Sequence, residues 1–317
     1  MAKLKFAFYW AAGCGGCEEA VLDINEKVLD VVKLADIVLW PVALDFKYHH
    51  IEAMPDKSID VCFINGSIRN EEQEEIAKLL RNKAKTTVAF GACSCFGGIP
   101  GLANFTNKDE IFKRSYHDTP STNNPEKIVP QENLKVEQGE LTLPKIYDTV
   151  KPLKDVIEVE YFLPGCPPVP ELIIAAVTAI AENKLPPVGA TIAKEKTLCD
   201  ECTREKEKKI IKEFKRPYEV IVDPQKCLLE QGIICAGPVT RGGCGQRCIN
   251  ANMGCRGCFG PPEGVIDQGA ALISALASIC DIKDESELMK MEPLMLDPAG
   301  LVYRYTLPTS ILRRKLG

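Results

Sequence analysis

The sequence predicts an α/β protein in which a parallel-sheet domain, residues 1–190, precedes a loop-rich region, residues 191–317, that metal sites stabilise. Segments typical of strands and of helices alternate through the first half. In the second half, eight cysteines lie between positions 199 and 258 among glycines and prolines that interrupt regular structure. The chain has 317 residues, 45% hydrophobic and 26% charged, which is enough for a sizeable core in two domains.

The alternation in the first half follows hydrophobic periodicity. Apolar runs bounded by turn residues predict buried strands, and apolar residues at helical spacing predict amphipathic helices. The predicted strands are 5–10, 37–41, 60–66, 86–92 and 156–165, and the predicted helices are 18–32, 71–83 and 170–184. The helix at 71–83 has an acidic first turn, which suits the positive end of the helix dipole. Strands that alternate with helices in this way indicate a parallel sheet with helices on both faces.

Three further segments stand outside this alternation. Residues 104–146 are rich in Asn, Thr, Pro, Lys and Glu, which predicts a long surface excursion, either a mobile loop or an arm that packs on a partner subunit. The charged stretch 204–216 predicts a solvent-facing helix. The apolar stretch 271–280 predicts a buried helix.

Composition and charge exclude several classes of protein. The net charge of −5 gives no indication of nucleic-acid binding, and the most apolar helical segment, 172–181, is too short to span a membrane. The apolar run before the first glycine loop is too short for a secretory signal, and no twin-arginine sequence precedes it, so we expect a cytoplasmic protein.

Fifteen cysteines in a reducing compartment indicate metal binding rather than a disulfide framework. None of the three histidines lies near the dense cysteine region. The metal sites should therefore be dominated by thiolates, which points to iron–sulfur clusters or to all-cysteine zinc.

Four cysteines of the first half share one context. Cys14 and Cys17 follow the first predicted strand, and Cys93 and Cys166 each follow a later one. Because the carboxyl ends of parallel strands form the ligand-binding edge of such sheets, we expect the four thiols to converge there. Nearby glycines would let the backbone approach a bulky cluster. Cys95 lies two residues from Cys93, and either of the two could be the ligand.

The pair Cys14 and Cys17 alone would also suit a thioredoxin-like redox pair or a zinc knuckle. The two remote single cysteines make both alternatives weaker, since zinc sites usually use two close pairs.

The eight cysteines of the second half suffice for two four-cysteine sites. The simplest grouping by order gives Cys199, Cys202, Cys227 and Cys235 as one set, and Cys244, Cys248, Cys255 and Cys258 as the other. Spacing alone leaves two interleaved zinc ribbons as an equal alternative to iron–sulfur clusters.

Taken together, these motifs resemble the small, electron-transferring subunits of [NiFe] hydrogenases. The matching segments occur in the family's order and span nearly the whole chain: CGGCEE (14–19), GACSCFGG (91–98), PGCPP (164–168), CDEC (199–202), CLLEQGIICAGPVT (227–240) and CRGC (255–258). Each is weak alone, but the set is highly specific. The cytoplasmic archaeal branch, in particular the F420-non-reducing hydrogenases of methanogens, is the best match.

The resemblance implies a flavodoxin-like N-terminal domain and three [4Fe–4S] clusters. The implied ligands are Cys14, Cys17, Cys93 and Cys166 for the proximal cluster, Cys244, Cys248, Cys255 and Cys258 for the medial cluster, and Cys199, Cys202, Cys227 and Cys235 for the distal cluster. Cys93 rather than Cys95 matches the family's third ligand. Cys199 stands where many relatives have a histidine, and Cys248 is added to a three-cysteine medial pattern. A four-iron medial cluster with a lower reduction potential is therefore expected.

The implied function is an electron relay. H2 is split at a Ni–Fe centre in a separate large subunit, and electrons pass through this chain to an iron–sulfur acceptor subunit and on to heterodisulfide reductase. The chain itself does no catalysis. Glu19 matches an acidic residue beside the family's first cysteine pair and is a candidate for a proton path, although an acid at a helix N-terminus explains it equally well. Cys62 and Cys280 are expected in the core.

Several alternatives remain. The cluster-bearing small subunit of complex I or of a related membrane hydrogenase shares the expected fold but lacks the eight later cysteines. The small subunits of F420-reducing hydrogenase and of sulfhydrogenase are alternatives within the family, although the ferredoxin-like cysteine run expected of the former is missing here. A zinc-stabilised scaffold protein without a redox role is the alternative of another class.

Overall fold

The computed structural model describes residues 3–207, 210–291, 295 and 297–312. Its centre is a five-stranded sheet in the order β2-β1-β3-β5-β9, with every neighbouring pair parallel. This is the strand order of flavodoxin-like doubly wound sheets. The strands are β1 (Leu4–Trp10), β2 (Ala35–Leu39), β3 (Ile59–Asn65), β4 (Ile68–Asn70), β5 (Ala84–Phe90), β6 (Asn133–Val136), β7 (Gly139–Thr142), β8 (Ile146–Lys151) and β9 (Tyr161–Leu163).

The helices of the first half lie between these strands, and those of the second half are mostly short. They are α1 (Gly16–Leu22), α2 (Val28–Leu34), α3 (Tyr48–Glu52), α4 (Glu71–Lys83), α5 (Ala92–Phe96), α6 (Lys108–Phe112), α7 (Pro170–Ala181), α8 (Leu198–Glu201), α9 (Arg247–Asn250), α10 (Gln268–Ile279), α11 (Glu285–Met291) and α12 (Pro298–Val302). α4 has the predicted bounds, because Asn70 caps its first turn through a hydrogen bond from the Gln73 N–H. Within the described residues, no helix is both long and apolar enough to cross a membrane.

Both faces of the sheet are buried. Phe6 and Phe8 of β1 point to one face, where α1, α2 and α7 cover them, and Ala7 and Tyr9 point to the other, which α4 covers. A strand buried on both faces has a continuous apolar run instead of an alternating one. The predicted α/β class is therefore confirmed.

The helix predicted at 18–32 is split. α1 ends at Leu22 and α2 begins at Val28, and Asn25 between them has a left-handed φ of 55°. Asn tolerates this conformation better than most residues, and the turn brings Ile24 into the core.

The strand predicted at 156–165 is shorter than expected and comprises only Tyr161–Leu163. Just before it, the Glu160 carboxylate accepts hydrogen bonds from the Thr87 N–H and from Arg81. The Glu160 N–H donates in turn to the Thr87 carbonyl, so one backbone bond to β5 precedes the strand.

The excursion at 104–146 lies at the surface, as predicted. It contains α6, a π-helical turn (Lys113–Asp118) and an antiparallel hairpin of β6 and β7, in which every residue of both strands is exposed. β8 then returns the chain to β4. An isolated two-stranded hairpin is marginally stable at best in water.

The second half contains little regular structure between α8 and α10, as predicted. A third apolar cluster lies there, in which Leu272 and Leu276 of α10 pack near Ile211, Leu229 and Cys235. The chain returns to the first half at its end, where Pro308 packs on Gly97 and Gly101.

The helix predicted at 204–216 is wrong. Its residues 208 and 209 lie outside the described residues, and the rest of the stretch contains no helix. Tertiary contacts override its helical propensity: the Arg204 side chain is buried, and Ile211 pairs through its backbone with Ile279, the last residue of α10, and with Asp281.

Candidate metal centres

The structure gathers the first four predicted cysteines at one edge of the sheet. Cys14 lies in the loop after β1, Cys17 in α1, Cys93 in α5 after β5, and Cys166 in the loop after β9. Burial raises the pKa of Cys17, and the nearby thiols of Cys93, Cys166 and Cys14 raise it further. Burial, followed by the neighbouring Cys166, raises the pKa of Cys93 to about 11. Such thiols stay protonated unless a cation compensates their charge, as a bound metal does.

Two glycines at this first site permit close approach to the sulfurs. Gly98 has a φ of 58°, and a Cβ atom there would lie 2.5 Å from the Cys93 Sγ atom. Gly91 has a φ of 88° and packs directly against the Cys17 Sγ atom. A side chain at either position would displace a thiol and also strain the backbone.

Cys95 and Cys93 have different surroundings. Cys95 is buried in the core, where its thiol donates a hydrogen bond to the Ala89 carbonyl at 3.3 Å. Cys93 is less buried and lies beside Cys166 and Cys14. Cys62 is fully buried in β3, and Cys280 is partly buried just after α10.

The second set of cysteines surrounds a cavity of about 330 Å³. Cys199, Cys227 and Cys235 line this cavity together with residues of α10, and Cys202 is close to Cys199 and Cys235. Burial raises the pKa of Cys199 to about 12, with Cys235 adding to the shift and Lys206 opposing it. The backbone N–H of Cys255 donates to the Cys235 Sγ atom at 3.2 Å.

The third set is Cys244, Cys248, Cys255 and Cys258. Burial raises the pKa of Cys258 to about 12, and Cys244 is the nearest contributing thiol, with Cys166 and Cys248 also acting on it. Burial also raises the pKa of Cys255, where Cys235 is the first contributing thiol and Cys258 a further one. Each of these cysteines is therefore close to another member of its set.

The three sets adjoin one another in an order that differs from their order in the chain. Cys166, in the first set, lies close enough to the Cys258 thiol of the third for its charge to raise the pKa of Cys258. The N–H of Cys255, in the third set, donates to the Cys235 thiol of the second. The spatial order is therefore first, third, second.

The three sets share one donor chemistry, because every member is a cysteine thiol without a disulfide. Among the described residues, which include every cysteine, no group of three or more His, Cys, Asp or Glu side chains is arranged as a site for a single ion. The all-thiol donor sets, the cavity beside Cys235 and the close glycines fit iron–sulfur clusters.

The two adjacent glutamates after Cys17 differ sharply. Glu19, the predicted candidate, is exposed. Glu18 is buried and accepts hydrogen bonds from the Trp40 indole N–H and the Asn65 amide. Burial raises the pKa of Glu18, and these two hydrogen bonds oppose the shift. The sequence indicated that Glu18 faces inward, because it precedes the apolar, buried Val21 by three residues and so lies on the same helix face.

Comparisons with known proteins identify the family of the chain. The family model described as "NADH ubiquinone oxidoreductase, 20 Kd subunit" matches residues 14–180. The iron–sulfur subunit of the F420-non-reducing hydrogenase of Archaeoglobus profundus is 43% identical over 320 residues, covering 99% of this chain and 99% of that protein. The corresponding F420-non-reducing hydrogenase subunit of Methanothermobacter thermautotrophicus is 37% identical over 322 residues, covering 99% and 97%.

Among solved structures, the recombinant [NiFeSe] hydrogenase from Desulfovibrio vulgaris Hildenborough has a similar chain. The TM-score is 0.53 at 17% identity, with 83% of this chain and 95% of that chain covered. At this identity the likeness supports the fold alone.

Proposed function

We propose that this chain, which belongs to the family of F420-non-reducing hydrogenase iron–sulfur subunits, is the electron-transferring small subunit of a [NiFe] hydrogenase, an oxidoreductase with H2 as donor. The family model stops at residue 180 and so does not separate this family from complex I subunits. The full-length relatives favour the hydrogenase, because they also cover the region of the second and third cysteine sets.

The observation that carries the proposal is the continuous row of thiol sites. The first and third sets meet at Cys166 and Cys258, and the third and second sets meet at Cys255 and Cys235. A scaffold whose metal only stabilised folding would not need its sites in contact. A row of adjoining redox sites, by contrast, is what stepwise electron transfer between two partners requires.

The proposed cofactors are three [4Fe–4S] clusters, which when bound would take up and release single electrons. Cys14, Cys17, Cys93 and Cys166 would hold the proximal one in the domain 1–190. Cys244, Cys248, Cys255 and Cys258 would hold the medial one and Cys199, Cys202, Cys227 and Cys235 the distal one, both in the region 191–317. The chain supplies the thiolate ligands and N–H donors such as that of Cys255, and it buries the sites. Together these features set the reduction potentials of the clusters.

The proximal site lies at an edge that suits docking of the large subunit. Cys14 and Cys166 are exposed there, and so are the large side chains of Trp10, Ile99 and Phe105. Exposed aromatic and aliphatic groups around a site favour a protein partner. In this arrangement electrons leave through the distal site, towards an iron–sulfur acceptor subunit and then heterodisulfide reductase.

The many free thiols favour the cytoplasm as the compartment of the protein.

Metal analysis of the purified complex tests the proposal against the zinc-stabilised scaffold. Three four-iron clusters give about twelve irons and as many sulfides bound to this chain, and a brown colour. Zinc without sulfide would show that the proposal is wrong.

The medial cluster has a test of its own. Because Cys248 supplies a fourth thiol, the as-isolated, oxidised complex should lack the EPR signal of a three-iron cluster. A three-iron signal at full iron occupancy would contradict the four-iron assignment while leaving the relay intact.

A further inference from the structure

Arg204 is a buried arginine between the second and third cysteine sets. It follows Cys202 by two residues, and only 7% of its surface is exposed. One guanidinium nitrogen donates to the carbonyls of Asp223 and Lys226, at 2.8 and 2.9 Å. The other donates to the Ile249 carbonyl and to the Asn252 side-chain oxygen, at 2.8 and 2.7 Å.

These four hydrogen bonds join segments that carry ligands of both sites. Lys226 immediately precedes Cys227 of the distal set, and Ile249 immediately follows Cys248 of the medial set. The Glu205 N–H also donates to the Gln225 carbonyl, and the Cys227 N–H donates to the Glu205 carbonyl, which holds the two strands of chain side by side. A single side chain therefore fixes the relative positions of Cys202, Cys227 and Cys248.

All four acceptors of Arg204 are neutral. None of the ion pairs found among residues 3–207, 210–291, 295 and 297–312 includes it. Burying a cation is unfavourable, and hydrogen bonds to neutral oxygens offset only part of the lost hydration of the Arg204 guanidinium. Glu201 and Glu205 lie near it in the chain without an ion pair to it among the described residues, and the segments that it joins also carry the thiolates of the proposed clusters.

We infer that Arg204 is a positioning residue shared by the distal and medial clusters and that its fixed positive charge raises the reduction potentials of both. Reduction adds an electron to an already anionic, thiolate-bound group, and a buried cation nearby favours the added negative charge. The inference rests on the proposed function, since it requires clusters at both sites. It also explains why a charged residue lies inward in a stretch with strong helical propensity.

The role of the charge is tested by comparing Arg204→Gln, which removes it, with Arg204→Lys, which keeps it. The reduction potentials of the clusters are measured in the purified hydrogenase complex by EPR-monitored redox titration. In Arg204→Gln, the equilibrium constant for one-electron reduction should fall about tenfold at both C-terminal clusters, which is about 59 mV. The proximal cluster should be unchanged. Arg204→Lys keeps the charge but loses the planar fork, so it should lower the thermal midpoint and leave the potentials near wild type.

A second variant neutralises the charge without removing the arginine. Asn252→Asp places a carboxylate at the same hydrogen-bonding position, and Asp tolerates the left-handed φ of 59° found there. Both C-terminal potentials should fall as in Arg204→Gln, with no loss of thermal stability. The matched control is Asn183→Asp, an exposed asparagine with a similar left-handed φ of 53° outside the second and third cysteine sets, which should move neither potential appreciably.

Three outcomes would overturn the inference. One is a complex with full iron content in which Asn252→Asp or Arg204→Gln leaves both C-terminal potentials at their wild-type values. Another is an equal shift in Arg204→Lys and Arg204→Gln, because charge would then not be the cause. The third is absence of iron and sulfide from the wild-type complex. This result would overturn the proposed function as well, whereas the first two outcomes overturn only the inference about Arg204.

Discussion

The N-terminal sheet domain and the C-terminal region place thiols by different means. In the first, a sheet buried on both faces presents Cys14, Cys93 and Cys166 at the ends of strands that would form without any metal. In the second, loops carry the proposed ligands, and Cys235 and Cys255 are themselves part of the apolar cluster. The difference predicts that a cluster at the first site would be an addition to a stable fold, whereas clusters at the other two sites would be part of what orders their region.

Iron removal should produce the largest difference in structural stability between the two regions. In the chelated, anaerobic protein, amide hydrogen exchange should become fast through residues 199–260 and stay slow in β1, β3 and β5. The reason is that the sheet keeps its apolar core, while the buried thiols of the second half lose their countercharge. Equal loss of protection in both regions would show that the comparison is wrong.

Loss of one proximal ligand should affect only the first site. Cys17→Ser should remove about four of about twelve irons and stop electron flow at its first step, with the distal and medial EPR signals retained. The readouts are iron content and H2-dependent dye reduction by the complex. Cys62→Ser, in a core strand away from the thiol sets, is the control that should keep full iron.

A glycine substitution tests how closely the sheet edge must approach the first site. Gly98→Ala should lower proximal cluster occupancy, because the new Cβ atom meets the Cys93 Sγ atom at 2.5 Å at a φ of 58°. Gly139→Ala is the matched control: this glycine also has a positive φ, 145°, but nothing lies within 4 Å of the added atom. Comparable iron loss in both variants would point to backbone strain alone.

Glu18 tests the stability of the sheet domain itself. Glu18→Ala should cost about 2–4 kcal/mol of unfolding free energy, because the buried Trp40 and Asn65 donors lose their acceptor. Glu19→Gln should leave stability unchanged, and its effect on H2/D+ exchange tests the proton-path hypothesis. Thermal unfolding of each variant gives the comparison.

The pH dependence of stability should also depend on Glu18. Burial raises the pKa of Glu18 above the usual 4.5. This shift therefore adds to the free energy of unfolding in full below pH 4.5, and the added stability is lost as the pH rises through the folded pKa. Glu18→Gln should remove this dependence. An unchanged profile of stability against pH in the variant would contradict it.

The smallest effect on stability is expected in the exposed hairpin. Leu134 and Leu141 lie opposite each other on one face, and both are about half exposed. Leu141→Ser should change the free energy of unfolding by no more than about 0.5 kcal/mol. If residues 104–146 are a docking arm, the same variant should weaken co-purification with the large subunit, while Lys135→Ser on the other face should not.

The local sequence pattern was enough to predict much of the secondary structure of the first half. The apolar runs of β1, β3 and β5 and the capped, amphipathic α4 are encoded in neighbouring residues, so their bounds follow from periodicity and capping. The spacing of Cys14, Cys17, Cys93 and Cys166 after strands predicted that they would meet at one edge. Their role as ligands stays a prediction.

What only the tertiary structure decided lies in contacts between segments without periodicity. The spatial order of the three thiol sets, the choice of Glu18 over Glu19 as the buried acid, and the inward position of Arg204 each depend on partners far away in the chain. Hydrophobic periodicity records whether a residue is buried but not which distant group it meets. The sequence therefore determined the sheet and the loops that carry thiols, and the packing of those loops determined how the thiol sites connect.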